Sequence, residues 1–148
     1  MENTFTEIED FITKSLLNNV TLINDVNAKE LEKQDQLKAF AISIIDVLDS
    51  FENIETTIHE KGLDSNEDVS KTMTRYQSIK KKLLKILQRH GITPITFPDN
   101  RLIQGVCEVV DTQPDESKES DEIIEIIRNG YIRGNDLIRS AQLIIVKN

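Results

Sequence analysis

Four carboxylates recur every three residues in one stretch of the chain, at Asp46, Asp49, Glu52 and Glu55. Paired carboxylates can carry out acid–base catalysis when burial raises the pKa of one member. Here no nucleophile or cleft-forming segment accompanies them, so we interpret them as the solvated charged face of a helix. We predict no catalytic residue and no enzymatic activity for this chain.

The sequence also lacks residue patterns suited to binding a metal ion or a nucleotide. The soft ligands are His59, His90 and Cys107, too few for a structural zinc site, and the acidic residues of 111–122 lack the spacing of a calcium-binding loop. No glycine-rich loop is present that could cradle phosphates. We therefore expect no metal, no cofactor and no direct nucleotide binding. A single cysteine excludes an intrachain disulfide and favours a reducing, cytoplasmic location.

The charge balance argues against polyanionic partners. The 148 residues include 26 acidic and 18 basic ones, for a net charge of −8. Overall repulsion disfavours both nucleic acid and an anionic membrane, and no apolar run reaches membrane-spanning length. The basic residues between 71 and 89, with three lysines at 80–82, are interpreted as a solvated helix face opposing the acids of the preceding helix.

Composition divides the chain at Gly91. No proline precedes Pro94, and Gly62 is the one glycine before Gly91. This predicts a long coiled-coil helix over residues 1–62, a second bundle helix over 63–90 and a β-wing domain over 91–148. Asn24 and Asn27 are good caps, so the sequence leaves open whether the first helix is continuous or breaks near 24–27.

Apolar residues at steps of three and four form a coiled-coil seam along both predicted helices. A single helical hairpin buries little surface, which favours a homodimer whose two hairpins pair into a four-helix bundle. Leu48→Asp or Phe51→Asp is then expected to dissociate the dimer. The residues that we predict at this interface are Leu37, Ala41, Ile44, Leu48, Phe51, Leu83 and Leu87.

After Gly91 the chain favours strands. Pro94 suggests an edge strand, and the β-branched segments 106–110 and 137–146 predict further strands. Residues 123–127 fit a strand or one helical turn equally well. Asn129 and Gly130 form a strong turn signal, with Gly130 expected at positive φ. The predicted fold class is α+β, with long N-terminal helices followed by a small, mostly antiparallel β-wing.

The C-terminal segment resembles the signature of the GrpE family, which runs from a Gly-aromatic pair through apolar-Arg-x-small to alternating apolar residues. Residues 44–52 also resemble the family's long-helix segment, and residues 83–92 resemble the end of its second helix. The resemblance covers about residues 37–148. The positions that fall on the C-terminal signature are Gly130, Tyr131, Ile138, Arg139, Ala141 and Ile145.

This resemblance implies a divergent GrpE-type nucleotide exchange factor, a co-chaperone that binds the nucleotide-binding domain of a DnaK-type ATPase and accelerates ADP release. The alternative is a coiled-coil adaptor of the same architecture without exchange activity. Gly91 and Gly130 would serve as hinge and turn. The chaperone-binding residues implied on the β-wing are Phe97, Gln104, Tyr131, Asp136, Arg139 and Ile145.

Several positions depart from the family pattern. Asp46 replaces a helix proline, and Asp136 stands where many members carry an arginine that touches the chaperone. Structural roles compete with the implied contacts. Arg139 could be locally paired, Asp136 could be a turn residue, and the apolar or aromatic positions could pack in a core.

Overall fold

The computed structural model describes residues 2–148. Helix α1 is one continuous element, Glu2–Glu60, and includes the asparagine-rich stretch near 24–27 without a break. A 3₁₀ turn at Leu63–Ser65 leads to helix α2, Glu67–Arg89. The chain separates into two structural units, residues 1–39 and 40–148. In the first unit, α1 exposes large apolar side chains, including Phe5, Phe11, Leu17, Ile23, Val26 and Leu31.

The turn between the helices and the start of α2 follow from local chemistry. Gly62 adopts a left-handed conformation with φ 63°, which reverses the chain at little steric cost. The Asn66 side chain then accepts hydrogen bonds from the backbone N–H groups of Asp68 and Val69, at 3.0 and 3.2 Å. These bonds satisfy two donors that the first turn of a helix leaves unpaired.

Six strands follow α2. They are β1 Ile92–Pro94, β2 Cys107–Gln113, β3 Ile123–Arg128, β4 Tyr131–Arg133, β5 Asp136–Arg139 and β6 Ala141–Val146. One sheet has the order β1-β4-β5 and is antiparallel. The other has the order β2-β6-β3, with β2 parallel and β3 antiparallel to β6. The strand alternative for residues 123–127 is therefore the one adopted, and Pro94 lies on an edge strand as predicted.

Two apolar clusters hold the second unit together. The larger contains Ile45 and Leu48 of α1, Leu87 of α2, Ile92 of β1 and Tyr131 of β4, so it joins both helices to the β1-β4-β5 sheet. The smaller cluster packs the β2-β6-β3 sheet around Ile123, Ala141, Leu143 and Ile145. These elements confirm the predicted α+β class, with two N-terminal helices followed by a β-domain.

Several side chains that the sequence assigned to a dimer interface are used inside the protomer. Ala41, Leu48 and Leu87 are at most 2% exposed and belong to the larger cluster. Phe51 is also buried and packs on Tyr76, with ring centroids 4.2 Å apart. Of the remaining assigned residues, Leu37, Ile44 and Leu83 are half-buried.

Gly130 is required for a different reason than the sequence suggested. Positive φ occurs at four other glycines, including Gly91 (φ 74°) and Gly134 (φ 58°), but not at Gly130. An added Cβ at Gly130 would instead lie 2.4 Å from the backbone N of Ala141 and 2.6 Å from Cδ1 of Ile95. The prediction of positive φ was wrong. The constraint is the close approach of β6 to the chain entering β4.

We expect Gly130→Ala to lower the free energy of unfolding by about 2 kcal/mol or more, because the backbone of β6 must shift to admit the methyl group. Gly134→Ala is the matched control. It meets no atom within 4 Å and suffers only from its positive φ, a cost of about 1 kcal/mol. Urea denaturation of both variants measures the difference. Equal losses would contradict the close packing at Gly130.

Candidate protein-binding surface

The β-domain is tied to α1 by a short, two-pronged ion pair. Arg139 of β5 donates from Nη1 and Nη2 to the two carboxylate oxygens of Asp49, each at 2.7 Å. The two side chains are 12% and 19% exposed. Arg139 also donates to the backbone carbonyl of Asn129 and lies 5.6 Å from the ring centroid of Tyr131. Bidentate, partly buried pairs of this kind fix geometry more firmly than exposed ones.

Arg128, the last residue of β3, forms a second bridge from the β-domain to the same helix. Its Nε donates to Asp49 Oδ2 at 2.8 Å, and its Nη2 to Asp46 Oδ1 at 3.1 Å. The resemblance to the GrpE family implied a proline at the position of Asp46. In this chain, the departure from the pattern coincides with an ion pair to the β-domain.

The remaining two carboxylates continue the network toward α2. Asn129 donates to both carboxylate oxygens of Glu52, at 2.9 and 3.0 Å. The Nζ of Lys80, on α2, lies 2.9 Å from Glu55 Oε2 and 3.6 Å from Glu52 Oε1. The interpretation of this face as solvated holds for Asp46, which is 56% exposed. It was wrong for Asp49, Glu52 and Glu55, which are at most 30% exposed and are all paired. Their partners come mainly from the β-domain.

The environment shifts the pKa of two groups at this junction. Burial alone would raise the pKa of Asp49, but the hydrogen bonds and charges of Arg139 and Arg128 outweigh it and hold that pKa below its ordinary value of 3.8. Burial, reinforced by the nearby Glu52 carboxylate, raises the pKa of Tyr131 to about 12. Both carboxylate and phenol are therefore held in their usual neutral-pH states, which suits a structural junction.

The predicted chaperone-binding residues fall into two groups. Tyr131 and Ile145 are buried, Arg139 is mostly buried, and Phe97 packs partly buried against the smaller cluster. These side chains support the β-domain from within. Gln104 and Asp136 are exposed. Asp136 pairs in register with Arg133 at the β4–β5 turn. The assignment of all six to chaperone contact stays a prediction.

Sequence reasoning missed Arg128 and Asn129 as parts of the junction, whereas it did place Lys80 opposite the acids of α1. Arg128 and Asn129 contact residues 77 to 82 positions away along the chain, so no local spacing could reveal them. The sequence did contain one indication. Arg128 and Asn129 directly follow the apolar run 123–127, and the row of four carboxylates on α1 has no partner that local spacing reveals.

Residues 2–148 contain no cluster of three or more His, Cys, Asp or Glu side chains arranged to hold a metal ion. Nor does either helix in that range combine the length and apolar character needed to cross a membrane.

Comparison with known proteins identifies the family. The GrpE family model matches residues 2–147. Protein GrpE of Ehrlichia canis (strain Jake) is 31% identical over 115 residues, covering 76% of this chain and 55% of that protein. Protein GrpE of Parvibaculum lavamentivorans is 25% identical over 147 residues, covering 95% of this chain and 69% of that protein.

The third comparison is with Protein GrpE of Prochlorococcus marinus (strain NATL1A), which is 25% identical over 118 residues, covering 76% of this chain and 44% of that protein. The chain belongs to the GrpE family, as its C-terminal signature predicted. It spans about half the length of the first relatives it matches.

We expect the Asp49 ion pairs to make stability depend on acid. Since the folded-state pKa of Asp49 is depressed, their contribution is fully present above the ordinary carboxyl pKa and is lost as pH falls through the folded value. Asp49→Asn should therefore cost about 2 kcal/mol near pH 7 and show a shallower loss between about pH 5 and pH 2.

Chemical denaturation across this pH range, at fixed protein concentration, measures both effects. Asp35→Asn, which removes an exposed carboxylate from the same helix, is the matched control and should leave the wild-type profile unchanged. Parallel pH profiles for wild type and Asp49→Asn would argue against this role for Asp49.

Proposed function

We propose that this protein is a nucleotide exchange factor. It binds the nucleotide-binding domain of a DnaK-type chaperone ATPase and accelerates release of ADP. The observation that carries the proposal is the family match over residues 2–147, which includes both helices and the whole β-domain. The segment with the family signature forms β4, β5 and β6.

The energetics of exchange follow from linkage. An exchange factor must bind the open, nucleotide-free ATPase more tightly than the ADP-bound form. By reciprocity, ADP weakens binding of the factor by the same ratio. A tenfold ratio corresponds to about 1.4 kcal/mol. Such a difference requires a binding surface that keeps its shape while it holds the ATPase cleft open.

The junction on α1 supports this requirement. If the β-domain were attached only through the Gly91 turn, it could rotate on docking. Part of the binding free energy would then go into ordering the β-domain instead of opening the ATPase cleft. Arg128 and Arg139 instead hold it to the α1 carboxylates, and the larger apolar cluster packs it on both helices. Exposed polar side chains such as Gln104 and Asp136 then offer contacts on a fixed support.

We further propose a homodimer whose seam uses exposed residues in place of the buried ones among those predicted. Phe40, Val47 and Ile54 lie one heptad apart on α1 and are 42% to 55% exposed. On α2, Ile79 and Ile86 have the same spacing and are 49% and 37% exposed. Exposed apolar residues at heptad spacing on both helices of a hairpin suit pairing with a second hairpin.

Val47→Asp and Ile54→Asp are expected to halve the solution mass without unfolding the protomer, because both positions are exposed within one chain. Leu48→Asp should unfold it, since Leu48 is fully buried and an unpaired carboxylate there costs several kcal/mol. Sedimentation equilibrium and circular dichroism separate the two effects. Asn53→Asp, next to the seam, is the control. A monomeric wild type, or a dimer that survives both seam variants, would reject the interface.

For exchange activity, the expected outcome is faster dissociation of labelled ADP from the cognate chaperone when this protein is added. An aspartate that faces the chaperone needs a Lys or Arg opposite, so Asp136→Lys should weaken binding about threefold by opposing two like charges. Glu116→Lys is the matched control elsewhere on the β-domain. Stopped-flow fluorescence gives the ADP off-rate. An off-rate unaltered by the wild-type protein would rule out exchange activity. Failure to bind the chaperone in a pull-down would favour the alternative, a coiled-coil adaptor of the same architecture that has lost chaperone binding.

A further inference from the structure

Five basic side chains form one face of α2. They follow one another at steps of four, seven, three and four residues, which keeps them within about 40° of a single line along a helix of 3.6 residues per turn. All are exposed. We call this the basic face, and it consists of Lys71, Arg75, Lys82, Lys85 and Arg89.

The basic face points away from the protein interior. The opposite side of α2 carries the buried Leu87 and the half-buried Leu84, both of which contact the larger apolar cluster. Lys80 also lies on that inner side and is the lysine that meets the carboxylates of α1. The expectation that the basic residues of α2 oppose the acids of α1 therefore holds for Lys80 alone.

The acids that could have neutralised the basic face are already engaged. Asp46 and Asp49 pair with arginines of the β-domain, while Glu52 and Glu55 pair with Asn129 and Lys80. Lys71 has an exposed partner one turn away in Glu67, at 2.7 Å, an arrangement of small net value. Within the part of the chain that the structure describes, no ion pair involves the other four members of the basic face.

This concentration of positive charge runs against the balance of the chain. Helix α2 has seven basic and two acidic residues, a net charge of +5, within a chain of net charge −8. The rest of the protein therefore carries −13. Like charges three and four residues apart destabilise a helix slightly. An opposing acidic surface would relieve that repulsion.

We propose that the basic face docks an acidic surface patch of the chaperone ATPase, beside the contacts made by the β-domain; this inference rests on the proposed function. The face is about 27 Å long at 1.5 Å per residue, the scale of one protein–protein contact. A nucleic acid fits less well, because a continuous polyphosphate would extend past the face onto a protein surface of net negative charge. Charge of this kind acts chiefly on the association rate.

The test compares Lys82→Gln/Lys85→Gln/Arg89→Gln with Lys14→Gln/Lys61→Gln/Lys147→Gln, which removes the same charge from exposed sites elsewhere. Association with the ATPase domain is measured by stopped flow at about 0.01 M and about 0.15 M salt, where the Debye lengths are about 30 and 8 Å. We expect the basic-face variant to associate about tenfold more slowly at low salt, with the ADP off-rate at saturation unchanged. The control should stay within about twofold of wild type.

Three outcomes would overturn the inference. If the wild type binds the chaperone and accelerates ADP release but the two triple variants associate equally fast, the basic face has no docking role and the proposed function stands. If the wild type neither binds nor accelerates release, both proposals fail. If the wild type binds a DNA duplex and the basic-face variant loses that binding, the ligand is a polyphosphate. Circular dichroism and the thermal midpoint verify that each variant is folded.

Discussion

The arrangement of the second unit depends on one carboxylate, Asp49, which two guanidinium groups of the β-domain share. Arg139 donates two hydrogen bonds to Asp49, and Arg128 donates a third. A partly buried charge is costly unless its partners are well placed. Asp49 meets this requirement only when β3 and β5 both lie against α1. The ion pairs therefore select one position of the β-domain, whereas the apolar cluster beneath them supplies non-directional cohesion.

The same constraint governs the helices. Because the α1 carboxylates turn toward the β-domain and Lys80, the side of α1 that carries Phe40, Val47 and Ile54 remains exposed, and so does the basic face of α2. Only a few elements can pack around one helix, and each neighbour covers one face of it. The proposed seam and the proposed docking face occupy surface that the junction leaves free, which is why the three features can coexist on one hairpin.

Much of the architecture was predictable from local signals. The absence of proline from the first ninety residues and the single glycine at Gly62 indicated two helices, and the turn residues after Gly91 indicated strands. The C-terminal signature identified the GrpE family. Apolar periodicity did not distinguish the residues of α1 that pack in the protomer's own core from those that stay exposed. Ala41 and Leu48 lie one residue from Phe40 and Val47, and spacing alone does not tell which set faces the same chain's core and which faces outward.

The sequence by itself determined the element types outside residues 123–127, the family and the chain's charge balance, because those properties depend on residue identity and on neighbours within a few positions. Tertiary structure alone decided that Asp46 and Asp49 meet Arg128 and Arg139, and that Gly130 is needed for its missing side chain instead of for a positive φ. Both depend on contacts between segments distant in the chain. Such contacts are fixed by the packing of sheets on helices, which no local pattern encodes.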